Sequence, residues 1–175
     1  SALSVLTDSK YFGGSSEDLI TARKFNFCPI LRKDFTVDEY QIIEAKSIGA
    51  DAILLIAAAL KPTKLKQLAA VAHGLNLEVL LEVHNREELN ANLEAGADLI
   101  GVNNRNLKTF VTDVGLSSEL APFIPNEFVK VSESGIENPQ TIIQLKKSGY
   151  RGFLMGQNFM QYSRPEEACH EFINE

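Results

Sequence analysis

Seven short apolar runs punctuate the chain, at positions 2–6, 29–31, 52–56, 79–81, 99–102, 128–131 and 153–155. Most are continuous rather than alternating. That pattern predicts strands buried on both faces of a parallel sheet. The stretches between them are amphipathic. Leu65, Leu68, Ala69, Ala72 and Leu75 fall on one face at helical spacing. Ile142 and Leu145 do the same after Asn138-Pro139, where proline suits a first helical turn. Ser15 or Ser16, followed by Glu17 and Asp18, places acids at a helix start.

The helix exits repeat as well. Gly49-Ala50-Asp51 and Gly96-Ala97-Asp98 precede apolar runs, and Gly149 comes shortly before the last one. Glycine there can take the left-handed cap conformation, and Asn76 can do so before the run at 79–81. Strand and helix therefore alternate along the whole chain, with no linker or low-complexity segment. The expectation is one α/β domain over residues 1–175, a TIM (β/α)8 barrel of which about seven units are present. A complete barrel of this kind needs about 250 residues. An N-terminal portion with the first strand is thus expected to be missing, leaving open barrel edges for self-association. A doubly wound sheet is disfavoured, since no G-x-G-x-x-G loop follows the first run.

Composition narrows this picture without redirecting it. Of 175 residues, 45% are hydrophobic and 23% charged, as in an ordinary globular domain. The net charge of −6 gives nucleic acid no electrostatic support, although a local lysine or arginine can still hold an anion. No apolar run approaches the roughly 20 residues that span a bilayer. Cys28 and Cys169 lack metal or redox spacing and read as free thiols in a reducing cytoplasm. His73, His84 and His170 show no ligand spacing, so no metal site is expected.

Polar residues cluster where the apolar runs end, which is where such barrels do their chemistry. Lys33 follows Leu31 and Arg32, and strand alternation sends Lys33 and Arg32 to opposite faces. A lysine there can act as a general acid or hold an oxyanion. The alternative is a surface lysine. Glu82 ends the fourth run, where partial desolvation favours acid–base work; pairing with a cation is the structural alternative. His84 reads as a loop hydrogen-bonder. Asn103, Asn104 and Arg105 follow the fifth run. Asparagine offers a fixed donor and acceptor, and arginine forks onto anions. Ser132-Glu133-Ser134-Gly135 and Gly156-Gln157-Asn158 follow the last two runs. In many barrels these loops cradle phosphate by backbone N–H groups, aided by a helix N-terminus. Glu133 beside such an anion must point away from it or bind another substrate group.

Taken in order, Ser4-Val5-Leu6-Thr7-Asp8 with Phe12-Gly13-Gly14-Ser15, Leu31-Arg32-Lys33-Asp34-Phe35, Glu82-Val83-His84, Asn103-Asn104-Arg105-Asn106-Leu107 and Ser132-Glu133-Ser134-Gly135-Ile136 resemble the indole-3-glycerol phosphate synthase family. The resemblance covers essentially the whole chain, from that family's second strand to its last helix. It implies a carboxy-lyase of tryptophan biosynthesis, working without cofactor or metal in the cytoplasm on a small phosphorylated substrate. It further implies Lys33 as general acid, Glu82 as acid–base residue in dehydration and Asn103 as the group orienting the substrate. Arg105, Glu133 and Ser134 become substrate contacts, and Ser134, Gly135, Gly156 and Gln157 the phosphate site. Two departures stand out. Gln157-Asn158 replace the serine or glutamate common after Gly156, and the family's first-strand glutamate and lysine have no counterpart. A catalytically inactive barrel fragment, and phosphoribosylanthranilate isomerase, are the alternative readings.

Overall fold

A computed structural model describes residues 1–107 and 109–174. Its strands are β1 (Leu3–Leu6), β2 (Ile30–Lys33), β3 (Ala52–Ile56), β4 (Glu78–Val83), β5 (Leu99–Asn103), β6 (Val129–Glu133) and β7 (Gly152–Leu154). The helices are α1 (Ser16–Phe25), α2 (Glu39–Ser47), α3 (Pro62–Gly74), α4 (Arg86–Asn92), α5 (Gly115–Leu120), α6 (Pro139–Lys147), α7 (Gln157–Met160) and α8 (Pro165–Asn174). The strands follow chain order in the sheet, β1 to β7, and the pairs β1–β2, β2–β3, β3–β4 and β6–β7 are parallel. This is the α/β topology of a TIM barrel with one of its eight units absent. The described residues fall into two compact units, 1–82 with 87–99, and 83–86 with 100–174.

In the first unit the apolar faces close on each other as the pattern predicts. Ile53, Leu54, Leu55, Val79, Leu80 and Leu81 of the strands are buried, with Leu65, Leu68, Ala69 and Ala72 of α3. Leu75 falls just outside that face, as the half-buried residue capping α3. Ser15 caps α1 with a reciprocal Ser15–Asp18 capping box, and Asp38 does the same for α2 through Gln41. Asn76 takes φ 55°, and Gly49 and Gly96 take 95° and 84°. Gly14 answers a different need. A Cβ there would stand 2.0 Å from the Leu6 carbonyl oxygen, so only glycine lets this loop fold back onto β1.

The second unit buries Ile100, Val102, Leu120, Ala121, Ile124, Val131, Ile136, Leu145 and Tyr150. Asn138 caps α6, with Pro139 in the first helical turn, and Gly149 exits it at φ 93°. Lys130, 8% exposed, sends its ammonium to the Ala121 carbonyl at 2.7 Å, where helical carbonyls end.

Two expectations are corrected. Not every strand is buried on both faces, because β1 is mostly exposed and β7 half-buried. These strands end the sheet order and have a paired neighbour on one side only. Several strands also outrun their apolar cores. Lys33, Glu82, Asn103 and Glu133 lie within strands, because the backbone ladder continues regardless of side-chain polarity. Leu6 pairs with Lys33, Ile56 with Glu82 and Glu133 with Leu154.

Candidate functional site

Lys33 and Glu82, on the alternate strands β2 and β4, meet in the first unit. Side chains from alternate strands share a layer in this fold. The Lys33 Nζ donates to Glu82 Oε2 at 3.2 Å. The side chains are 14% and 4% exposed, so this is an ion pair shielded from water. The Glu82 carboxylate is thus desolvated and has a cation beside it.

Lys33 is held there by its neighbours in the motif. Arg32, on the opposite side of β2, is 5% exposed. Its guanidinium donates to Thr7 Oγ1 at 3.0 Å, to the Gln41 carbonyl at 3.0 Å and to Glu44 Oε2 at 2.6 Å. It also lies 3.1 Å from Asp34 Oδ2. Asp34 in turn accepts from the Thr7 hydroxyl at 2.6 Å and from the Phe35 N–H at 2.8 Å. The Phe35 ring stacks on Phe12, with centroids 4.9 Å apart. The loops after β1 and β2 are thus joined on either side of the residue bearing the ammonium. Sequence reasoning noted only that Arg32 faces away. The signal it lacked is that a buried arginine demands several acceptors, which Thr7, Asp34 and Glu44 supply.

The second unit brings together Asn103, Arg105 and Gln157. Asn103 is 8% exposed, and its Oδ1 accepts from the Arg105 N–H at 3.0 Å. The Arg105 guanidinium donates to Gln157 Oε1, so Gln157, which departs from the resembled motif, has a side-chain partner. Glu133 is 1% exposed at the end of β6. Ser134 and Gly135 both take left-handed conformations, at φ 68° and 74°. For serine this costs about 1–2 kcal/mol. Bonds to both its backbone groups offset that cost, from Ser134 N–H to the Leu154 carbonyl at 3.4 Å and from Asn104 Nδ2 to the Ser134 carbonyl at 3.0 Å.

The two glycines expected to admit an anion differ. A Cβ at Gly135 would stand 2.3 Å from Thr112 Cγ2, so that glycine admits a neighbouring segment. A Cβ at Gly156 would meet nothing within 4 Å. The helix expected to add a dipole after Gly156 is the single turn α7, far short of the aligned peptide units behind a full macrodipole. His84 lies just past β4 and is half-buried.

Beneath the Ser134 turn lies a buried polar cluster that the apolar pattern did not reveal. Asn104, Ser117, Ser132 and Tyr150 are 3%, 0%, 0% and 1% exposed. The Tyr150 hydroxyl donates to the Ser117 carbonyl at 2.7 Å. Burial pushes this hydroxyl up to about 12 from 10.0. The folded state therefore keeps the proton longer than the unfolded chain does. That advantage is whole below pH about 10 and is lost as pH rises through about 12, about 3 kcal/mol in all. Tyr150→Phe is expected to cost about 1 kcal/mol at neutral pH and to remove this alkaline loss, overtaking the wild type near pH 11. Urea titrations from pH 8 to 12 check the crossing.

Among the described residues, no group of three or more His, Cys, Asp or Glu side chains could hold a metal ion. Among the same residues, no helix is long and apolar enough to cross a membrane. Cys28 and Cys169 are free thiols.

A sequence model of the indole-3-glycerol phosphate synthase family matches residues 1–172. Proteins named indole-3-glycerol phosphate synthase are similar along nearly the whole chain. That of Bacteroides thetaiotaomicron is 54% identical over 99% of this chain and 66% of its own length. That of Chromobacterium violaceum is 49% identical over 95% of this chain and 63% of its own length. That of Nautilia profundicola is 46% identical over 95% of this chain and 65% of its own length. The chain thus spans a little under two thirds of these relatives. Together with the topology and the ordered motifs, the matches show that the chain belongs to the indole-3-glycerol phosphate synthase family.

Proposed function

We propose that the protein carrying this chain converts 1-(2-carboxyphenylamino)-1-deoxyribulose 5-phosphate to indole-3-glycerol phosphate, releasing one carbon dioxide and one water. The observation that carries this reading is the buried Lys33–Glu82 pair at 3.2 Å, formed by strand-end residues of two family motifs. Membership of the synthase family favours this reaction over the isomerase alternative.

The chemistry divides into steps that these residues suit. Ring closure joins an aromatic carbon to the substrate ketone and builds negative charge on the carbonyl oxygen. The Lys33 ammonium donates a proton there as the bond forms. Loss of carbon dioxide restores the electron pair to the ring. Dehydration then removes a proton and expels the hydroxyl as water, and Glu82 shuttles the proton. Asn103 orients the substrate, with Arg105 and Glu133 as further contacts. The Ser134 hydroxyl and the backbone N–H groups of Gly135 and Gly156, with Gln157, hold the phosphate. That remote binding energy fixes an otherwise flexible sugar chain for reaction. No step calls for a cofactor.

The wider setting follows from the same reading. The substrate is a small phosphorylated molecule, and two free thiols suit a reducing cytoplasm. Nucleic acid is disfavoured by the net charge of −6.

The test is a continuous absorbance assay for the indole ring, run on the natural gene product with the phosphorylated substrate and its dephosphorylated analogue. Indole formation with a strong preference for the phosphorylated form is expected. Formation of an isomer without an indole ring would overturn the reading.

A further inference from the structure

We propose that Asn104 is a positioning residue for the turn at Ser134 and Gly135, acting with Ser117 and Ser132 to set the backbone that faces phosphate. This rests on reading that turn as part of the phosphate site. The family motifs draw attention to Asn103 and Arg105, yet it is Asn104 whose side chain reaches the turn.

Its carboxamide is used on both ends. Nδ2 donates to Ser132 Oγ at 3.0 Å and to the Ser134 carbonyl at 3.0 Å. Oδ1 accepts from the Ser117 N–H at 3.2 Å and the Ser117 hydroxyl at 2.8 Å. The Ser117 and Ser132 hydroxyls are 2.7 Å apart and close the ring of bonds. The Asn104 backbone adds two more, its N–H to the Glu133 carbonyl at 2.9 Å and its carbonyl from the Asp113 N–H at 2.9 Å. One 3%-exposed residue thereby links the end of β5, the end of β6 and the first turn of α5.

The consequence falls on Ser134. A serine does not hold φ 68° by preference. Asn104 grips the carbonyl of that residue from a buried place where water cannot substitute, so a relaxed turn would leave a buried donor unpaired. The geometry thus makes Asn104 the residue that fixes the peptide between Ser134 and Gly135, and with it the orientation of the Gly135 N–H. Leucine at 104 would fill the space without that grip, alanine would leave it empty, and aspartate would lack the donor.

The experiment uses the natural gene product and inorganic phosphate as probe, followed by amide and Cα chemical shifts. Asn104→Ala is expected to weaken phosphate binding about tenfold and to move the Ser134 and Gly135 shifts away from left-handed values. Ser117→Ala, which removes one bond to Asn104 Oδ1, is expected to act on the same two residues by about threefold. Asp38→Ala removes a helix cap, so it is expected to lower stability with neither change. If Asn104→Ala does not fold, Ser117→Ala decides the matter. Lower stability with unchanged phosphate affinity and Ser134 shifts would overturn the proposal. Should the wild type not bind phosphate, the phosphate reading of the turn falls. The Ser134 shifts then decide alone whether Asn104 positions it.

Discussion

Lys33→Met is expected to lower kcat by about 10²–10⁴-fold while inhibition by inorganic phosphate stays within about threefold. Methionine keeps most of the side-chain volume and removes the ammonium. The step that suffers is ring closure, where the carbonyl oxygen gains charge and the donor is gone. Lys33 is 14% exposed, so bulk water is a poor substitute donor. The split between turnover and phosphate inhibition separates a lost proton donor from a collapsed site. Equal losses in both would mean that the pair with Glu82 is mainly structural. Unchanged turnover would remove Lys33 from the chemistry.

The second large effect is on folding. Arg32→Met is expected to destabilise the protein by about 3–5 kcal/mol. The substitution itself buries acceptably, but it strands Asp34, 7% exposed, without its cation. It also deprives Glu44 and the Gln41 carbonyl of their donors. Arg32→Lys is expected to recover little, because one ammonium cannot serve Thr7, Gln41, Asp34 and Glu44 together. Adding Asp34→Asn to Arg32→Met should restore part of the loss, since the stranded charge is then gone. Urea unfolding of the three variants measures this. A loss below about 1 kcal/mol for Arg32→Met would show the network to be dispensable.

The strands and helix caps were legible in the sequence because they follow from local rules. Short apolar runs marked all seven strands, β1 to β7, and the left-handed caps at Gly49, Asn76, Gly96 and Gly149 followed from their places after amphipathic stretches. Lys33 and Glu82 were legible as strand-end residues, but their ion pair was not, since it joins positions 49 apart in sequence. Open barrel edges were expected, but the exposed side chains of β1 were not, because an apolar run looks the same with one paired neighbour or two. Arg32 and Asn104 were hardest. A buried polar residue leaves no mark in a hydropathy pattern, and its partners at Thr7, Glu44, Ser117 and Ser134 lie in other elements. Gly135 shows a related limit. Its place in a serine-glycine turn suggested room for an anion, while its missing Cβ makes room for Thr112.

The central claim, ring closure driven by Lys33 with loss of carbon dioxide, is most directly tested by a single turnover of carboxyl-labelled substrate on the natural gene product. The expected result is one labelled carbon dioxide released per indole ring formed, in step in the wild type. In Lys33→Met both are expected to be slowed by the same factor, about 10²–10⁴. Indole absorbance without release of label, or release at the wild-type rate in Lys33→Met, would contradict it.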